Sequence, residues 1–333
     1  MRMPRTARPL ITSEDFATLR DEWAALHAAI RAATPFTHPD WHACWLRHFG
    51  RAFDAHPVYL AVRREEQLIG VLALDMAAGI ARTLGDPNVR DYGGPLVLPG
   101  AEHDAARCVL EWMLEDMTPG LDLWGIAAAT RLHEAFAEAA TYWGWKLEAE
   151  PESVCPAVDL PADFETYVAA LAKHDRHELR RKLRNLEAVG DIHFETATAP
   201  EAVAAQMDTL LAMMHASRAD KAEFLTPQME AFFRDLATTF AETAMTRLST
   251  LTLDGTAVAT IFAFDSGGVR YLYNSGYDRA HNHLAVGLLS KALSIREAIA
   301  ANLTRFDFLR GDEPYKSNLG GHPQEIVALH FRR

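Results

Sequence analysis

The sequence is poor in cysteine, in positive charge and in long apolar runs, and each shortage excludes a class of protein. Cys44, Cys108 and Cys155 are its only cysteines, too few and too far apart for a disulfide framework or a Cys-rich zinc site. The net charge of −12 argues against DNA binding, whose affinity comes from Lys and Arg neutralising phosphates. No run approaches the roughly 18 apolar residues of a membrane-spanning helix, so we expect no membrane insertion.

Targeting signals and common catalytic motifs are also missing. The opening residues, MRMPRTARPL, are basic but lead into ITSEDF without the apolar core of a signal peptide, so we expect a cytoplasmic protein. The sequence has no GxSxG motif of a serine hydrolase and no HExxH motif of a zinc protease. The histidines at 281 and 283, and those near residue 42, lack the spacing of a zinc site. We therefore predict no metal.

The order of predicted elements indicates two similar halves. A length of 333 residues with 49% hydrophobic residues is enough for two cores of ordinary size. Each half contains a strand, helices, an antiparallel meander, a further helix and final strands, and the second half opens with a long helix predicted from Pro161 to about Val189. We predict an α+β fold with two tandem domains, 1–160 and 161–333. Each would be a mixed, mostly antiparallel sheet flanked by helices.

The stretch YLYNSGYDRAHNHLAVGLLSKALSIREAI, residues 271–299, is the most informative. An aromatic strand leads through a polar loop into an amphipathic helix that begins near Val286–Gly287. A helix start carries unpaired N–H groups and partial positive charge, so it can hold an anion. No acidic residue follows Asp278 in the loop, and Gly287 would allow a ligand close to the backbone. The alternative is an ordinary strand-to-helix connection in which the glycine only relieves a turn.

Several motifs in the second half carry a family resemblance. They are HDRHELRRKLRNLE, MMHASR, TLDGTAVAT, the strand and loop around residue 280, and FDFLRGDEPYK. From Lys173 to Lys316 the chain resembles the CelD/BcsL-type acetyltransferases of the Fem-like branch, which have tandem domains of the GCN5-related acetyltransferase (GNAT) fold. The first half resembles them only through FTHPDWHACWLRHFG and QLIGVLAL. The phosphate loop departs from the usual RxxGxG or RxxGxA, because this chain has HNHLAVG.

The resemblance implies acyl transfer from a coenzyme A thioester, acetyl-CoA, to an amine on a small molecule or glycan precursor, such as an amino sugar or amino acid. Tyr315 would protonate the leaving thiolate, and Asp312 or Asp307 would accept the proton of the amine. Cofactor contacts would come from Asn274, Ser275, Leu284, Ala285, Val286, Gly287 and Leu288. Because Pro95 and Pro99 would remove donors at the equivalent place in the first half, we expect no cofactor in domain 1–160.

Substrate contacts are predicted at His215, Arg218, Tyr273, Arg310 and Lys316. Each has a structural alternative. Buried Tyr and Asp, here Tyr273 and Asp307, usually serve packing and capping, and a helix C-terminus favours cations such as His215. The polar cluster after FDFL could be a solvated loop. The basic face around Arg180 could be solvated, or it could contact a polyanionic substrate or the cofactor's phosphates.

Two other functions fit the same fold. A Fem-type aminoacyl-tRNA-dependent transferase would need a long helical hairpin and a basic tRNA surface. Neither is evident in the sequence, so we do not expect a tRNA partner. A binding module that has kept the fold without catalysis is the second alternative.

Overall fold

A computed structural model describes residues 8–31, 33–76, 79–217 and 223–333. Within them the chain forms two units. The N-terminal unit contains residues up to Ser153 together with Gln324–Arg333, and the C-terminal unit contains Val154–Pro323. Each unit is described by itself below.

The N-terminal unit is built on one sheet with helices packed against it. Its helices are α1 Phe16–Ala29, α2 Pro39–Trp45, α3 Glu102–Glu115 and α4 Arg131–Trp143. Its strands are β1 Leu10–Glu14, β2 Pro57–Arg64, β3 Gln67–Asp75, β4 Ala81–Thr83, β5 Leu96–Val97, β6 Gly120–Ala127, β7 Lys146–Val154 and β14 Glu325–Arg332. The strand order is β1-β2-β3-β4-β6-β14-β7, and β5 pairs with β3.

The C-terminal unit repeats this plan. Its strands are β8 Ala157–Asp159, β9 Ile192–Ala197, β10 Thr246–Leu253, β11 Thr256–Ser266, β12 Val269–Tyr277 and β13 Arg305–Asp307. Its helices are α5 Phe164–Ala170, α6 Lys173–Glu187, α7 Pro200–Ser217, α8 Pro227–Glu242, α9 Val286–Ala300 and α10 Pro314–Asn318. The strand order is β8-β13-β12-β11-β10-β9.

Six strands of the first sheet correspond in order to the six strands of the second sheet. An antiparallel meander, β1 to β4 or β9 to β12, ends in a parallel pair, β4 with β6 or β12 with β13. An antiparallel strand then follows on the far side, β14 beside β6 or β8 beside β13. This confirms the predicted α+β class with two mixed, mostly antiparallel sheets flanked by helices.

Each sheet contains one strand from the other side of the sequence-based boundary at residue 160. Strand β14, at the end of the chain, pairs with β6 in the first sheet, where Phe331 faces Leu121. Strand β8, before residue 160, pairs with β13 in the second sheet, where Ala157 faces Asp307. Pairing between strands so far apart in sequence cannot be predicted from local sequence. The alternation of apolar residues shows which face of a strand is buried but not which strand it pairs with.

Helix boundaries follow local capping chemistry. Thr226 caps α8 by accepting a hydrogen bond from the Met229 amide at 3.2 Å, and Pro227 occupies the first helical position. The predicted long helix from Pro161 was wrong, because it is divided into α5 and α6. Leu171, at the end of α5, has extended backbone with ψ 154°, and this ends the first helix before the second begins.

Helix α9 lies in the core of the C-terminal unit. Leu289, Ala292 and Ile295 are fully buried and pack with β11 residues such as Ile261. Burying a side chain of this size stabilises the fold by about 1.5–3 kcal/mol. The apolar face therefore fixes the helix against the sheet, and its first residues are held at one end of β12.

Candidate active site

Strand β12 separates from β13 halfway along its length. The parallel pairing ends at Tyr271 opposite Asp307, while β12 continues to Tyr277. The chain after β13 remains beside the residues that lead into β8, because the Phe308 amide donates to the Pro156 carbonyl at 2.9 Å. Among the described residues no strand fills the gap beside the second half of β12, so a cleft opens there.

A bulge lies where β12 leaves its neighbour. The register with β11 shifts between Phe262 and Ala263, which leaves Tyr273 as the extra residue. Its ring packs at 5.4–5.6 Å on Phe233, Phe262 and Phe264. Tyr273, predicted to contact substrate, is therefore part of an aromatic cluster and is not among the described residues that line the cleft.

Helix α9 begins without a side-chain cap. Ala285 adopts the left-handed conformation with φ 56°, and its amide donates to the Asn282 carbonyl at 2.9 Å. The Leu288 amide donates to the Ala285 carbonyl at 3.0 Å. Within the described chain, the amides of Val286 and Gly287 have no hydrogen-bond acceptor. Of the amides from 284 to 288 that were predicted to bind the anion, those of Ala285 and Leu288 are therefore already used in hydrogen bonds within the chain.

Two glycines let the surrounding elements approach closely. A Cβ at Gly276 would lie 2.6 Å from the Met213 carbonyl carbon of α7, and a Cβ at Gly287 would lie 2.9 Å from the Tyr277 ring. Gly287 is thus required for packing against Tyr277, whether or not a ligand also approaches it. The end of β12, the end of α7 and the start of α9 meet at these contacts.

The loop after β13 is strained and anchored by Asp307. Leu309 has φ 58°, an uncommon conformation for a bulky residue that is found mostly where surrounding contacts enforce it. Asp307 is buried, and its Oδ1 accepts a hydrogen bond from the Leu309 amide at 2.8 Å. Burial, and then the charge of Asp307, raise the pKa of the Tyr271 phenol. Asp307, predicted as a candidate base, caps this turn and is not on the described cavity wall.

Lys316 fastens the same loop from the other side. Its side chain is 2% exposed. The ammonium donates to the carbonyls of Leu309, Arg310 and Gly311 at 2.9, 2.7 and 3.2 Å and lies 2.9 Å from Glu313 Oε2. Lys316 was predicted to contact substrate. In the structure its ammonium instead binds the loop that carries Glu313 and Tyr315, so Lys316 holds that loop in position.

Replacing Lys316 with Met should destabilise the protein by about 3 kcal/mol, because buried carbonyls and a carboxylate lose their donor. Urea denaturation measures the loss. Lys146→Met, at an exposed position in the N-terminal unit, is the control and should change the unfolding free energy little. A loss at position 316 no larger than the control would contradict the anchoring role.

A cavity of about 360 Å³ is lined by the end of β12, the start of α9, the end of α7 and the loop after β13. Of the predicted site residues, Ser275, Ala285, Gly287, Leu288 and Tyr315 line it. The sequence reasoning missed Lys182, Ser217, Tyr277, Asn282, Lys291 and Glu313, which line it as well. The cavity lies entirely within the C-terminal unit.

Lys291 joins the helix start to the loop after β13. It is 7% exposed, its ammonium donates to the Gly287 carbonyl at 2.8 Å, and it lies 4.9 Å from the ring centroid of Tyr315. A lysine four residues after Gly287 lies on the same helix face as that glycine. This spacing was the available sequence signal for Lys291.

The remaining predicted residues lie off this wall. Asp312 is exposed, Val286 is buried and Leu284 lines a neighbouring groove with Lys182 and His283. His215 connects α7 to α8 through a 2.8 Å contact with Glu230. Neither Asn274 nor Arg310 is among the described wall residues, and Arg218 lies outside the described residues.

Two arginines on the basic face of α6 interact with other residues of the same unit. Arg176 donates to the Ala169 carbonyl at 2.8 Å, and Arg180 pairs with Glu165 at 2.9 Å. Lys182, on a different face, is the α6 cation that reaches the cavity wall. Two cations of the predicted basic face are therefore engaged with α5.

The described residues contain neither a cluster of metal-binding side chains nor a helix that could span a membrane. In that part of the chain, no group of three or more His, Cys, Asp or Glu side chains is arranged to hold a metal ion. The helices there are all too short or too polar to cross a membrane.

Comparisons with known proteins agree with this architecture. Residues 173–317 match the family model described as an acetyltransferase (GNAT) domain. The crystal structure of FemX is similar with TM-score 0.66 and 10% identity, covering 95% of this chain and 96% of that one. A C-terminal domain from Agrobacterium fabrum, described as part of a lysylphosphatidylglycerol synthetase, has TM-score 0.63 and 12% identity, with 96% and 92% covered.

L-PGS from Bacillus licheniformis has TM-score 0.55 and 11% identity, with 89% of this chain and 91% of that chain covered. No curated protein sequence matches the chain. Residues 173–317 are thus similar to a GNAT acetyltransferase domain, and the chain shares its fold with FemX and with the structures from A. fabrum and B. licheniformis.

Proposed function

We propose that the C-terminal unit transfers an acyl group from a coenzyme A thioester to an amine. The observation that carries this proposal is the single cavity shared by the start of α9, the diverging end of β12 and the loop bearing Glu313 and Tyr315. The match of residues 173–317 to an acetyltransferase domain supports the same reaction type.

The start of α9 suits a diphosphate. Its first turn has no acidic residue, the Gly287 backbone lines the cavity, and the helix dipole places partial positive charge there. Lys182 and Lys291 add two cations to the wall. In this proposal the Gly287 amide, backed by that of Val286, donates to the diphosphate of coenzyme A. The pantetheine follows the open edge of β12 toward Ser275.

The reaction needs one proton acceptor and one proton donor. Glu313 lines the cavity whereas Asp312 is exposed outside it, so we assign Glu313 as the base that removes a proton from the attacking ammonium. The amine nitrogen forms a bond to the thioester carbonyl carbon, and the carbon–sulfur bond then breaks. Tyr315 donates its phenolic proton to the departing thiolate, and the second proton that the nitrogen loses as the amide forms returns to the Tyr315 oxygen.

The acceptor class remains as the sequence predicts it. The amine would be carried by a small molecule or glycan precursor, such as an amino sugar or an amino acid, in the cytoplasm. The CelD/BcsL-type assignment, and the expectation that residues 1–160 hold no coenzyme A, are parts of the same proposal.

A Fem-type aminoacyl-tRNA-dependent transferase is the second candidate, because the FemX fold spans 95% of this chain. A thermal-shift titration with acetyl-CoA and, separately, with aminoacyl-tRNA distinguishes the two. A ligand at 100 times its dissociation constant stabilises the folded state by about 2.7 kcal/mol. We expect this shift with acetyl-CoA, and a shift only with aminoacyl-tRNA would favour the second candidate.

Ala285→Asp should weaken acetyl-CoA binding by about 100-fold. The new carboxylate would lie at the start of α9 near the diphosphate, and a repulsion of roughly 2–3 kcal/mol follows from two charges about 6 Å apart at an effective dielectric constant near 20. Asp tolerates the left-handed backbone of this position, so the unfolding free energy should hardly change. Isothermal titration calorimetry measures the affinity.

Ala285→Asn is the matched control, because it has nearly the same shape without the charge. It should bind acetyl-CoA within about threefold of the unmodified protein. Equal affinities of the Asp and Asn variants would show that the diphosphate lies elsewhere and would refute the proposed binding mode.

A further inference from the structure

The N-terminal unit contains a larger cavity of about 460 Å³ that the proposed function leaves unused. It is lined by the start of α3, by the segment after β6 and, after α1, by Ile30, Arg31, Ala33, Thr34 and Thr37. In the C-terminal unit the active-site cavity is bordered by the end of α7, the start of α9 and the segment after β13. The two cavities thus occupy corresponding places in the repeated fold, with different linings.

A diphosphate does not suit the N-terminal cavity. Helix α3 begins with Glu102 on the cavity wall, and Asp104 follows in the same turn. Glu102 Oε2 accepts the Gly100 amide at 2.8 Å, so one of the local donors is already used. Negative charge at this helix start opposes a second anion there. The ligand of this cavity must therefore differ from coenzyme A.

Two arginines give the cavity its chemical character. Arg31 and Arg131 lie on its wall, and in the described part of the chain neither guanidinium has a hydrogen bond or an ion pair. Several other arginines of the unit have acidic partners; Arg63, for example, lies 3.0 Å from Glu14, and Arg64 lies 2.5 Å from Asp104. In a chain with net charge −12, two arginines without acidic partners on one cavity are notable.

The position of Arg131 is unfavourable for the helix itself. It is the first residue of α4, where the helix dipole is positive and a cation is unfavourable. An anion bound there would be stabilised by the helix start and by the guanidinium together. Apolar side chains cover other parts of the wall, among them Ile30, Leu96, Ile126 and Leu132.

From this arrangement we propose that the N-terminal cavity binds a small molecule with an apolar body and a carboxylate. Arg31 and Arg131 hold the carboxylate, and the apolar wall holds the body. A volume of about 460 Å³ is within the usual range of small-molecule sites, roughly 300–1,000 Å³. This site is separate from the proposed acyl-transfer site and does not depend on it.

Calorimetric titration with octanoate, 1-octanol and octyl phosphate tests the site on the full chain. Octanoate should bind with saturation, and 1-octanol should bind at least 10-fold more weakly because it lacks the charge. Arg31→Gln and Arg131→Gln should each weaken octanoate binding at least 10-fold. Arg51→Gln, an exposed position off the wall, should leave the affinity unchanged.

Other outcomes would overturn the proposal. No saturable octanoate binding, or equal binding by the arginine variants, would remove the site. Tighter binding of octyl phosphate than of octanoate would refute the carboxylate assignment. Because the measurement detects binding directly and uses no acetyl-CoA, its failure would not affect the acyl-transfer proposal, and failure of that proposal would not affect this one.

Discussion

Tyr315→Phe is expected to lower kcat by roughly 10²–10⁴-fold, the usual contribution of a positioned general acid. The ring of Tyr315 lies against Phe308 at 6.2 Å and beneath the Lys291 ammonium at 4.9 Å, and phenylalanine preserves both contacts. The variant therefore removes the phenolic hydroxyl and keeps these two ring contacts. Release of the coenzyme A thiol in the presence of a panel of amines measures kcat, and KM for acetyl-CoA should stay within about threefold.

Tyr277→Phe is the matched control, because Tyr277 lines the same cavity and packs over Gly287. It should retain kcat within about threefold. If Tyr315→Phe behaves like this control, another group protonates the thiolate. If acetyl-CoA turns over in neither the variants nor the unmodified protein, the non-catalytic binding module becomes the better account.

Glu313→Gln should likewise reduce kcat by roughly 10²–10⁴-fold, because the amide cannot accept the proton of the ammonium. Gln keeps an oxygen that can accept from Lys316, whose ammonium lies 2.9 Å from Glu313 Oε2, so the loop should hold its shape. Asp312→Asn, at the exposed neighbouring position, is the control with the same change of chemistry. We expect it to be nearly fully active.

The reverse pattern, a slow Asp312→Asn and an active Glu313→Gln, would restore the assignment made from sequence. Thermal denaturation of both variants, compared with the unmodified protein, separates loss of the base from loss of the loop. A large loss of stability in Glu313→Gln would mean that Glu313 acts mainly as a partner of Lys316.

The sequence was sufficient to locate the start of α9. Helical periodicity and Gly287 predicted a start near Val286–Gly287, and the helix begins at Val286. Such a prediction succeeds because apolar residues at three- and four-residue intervals mark the buried face of a helix. Which amides remain available could not be read in the same way. It depends on the left-handed backbone of Ala285, with φ 56°, and on the Ala285 carbonyl accepting a hydrogen bond from the Leu288 amide. An alanine in the sequence does not predict that conformation.

The loop after β13 shows the other limit of sequence reasoning. Its cluster of polar residues was recognised, and Tyr315 does line the cavity. Which neighbouring carboxylate faces inward depends on the turn made by Leu309 at φ 58° and Gly311 at φ 113°. Asp307 and Lys316 stabilise that turn through buried hydrogen bonds. A linear pattern carries no information about such directions, so the sequence reasoning named Asp312 and Asp307 as candidate bases and missed Glu313.

The most direct test of the account is the position of the coenzyme A diphosphate on the chain. Amide NMR spectra of the isotope-labelled protein, recorded during titration with acetyl-CoA, report which N–H groups gain an acceptor. We predict saturable binding with the largest downfield shift at Gly287, accompanied by Val286, and smaller changes along the second half of β12. Saturation with unchanged Gly287 and Val286 signals, or no saturable binding, would contradict the proposed site.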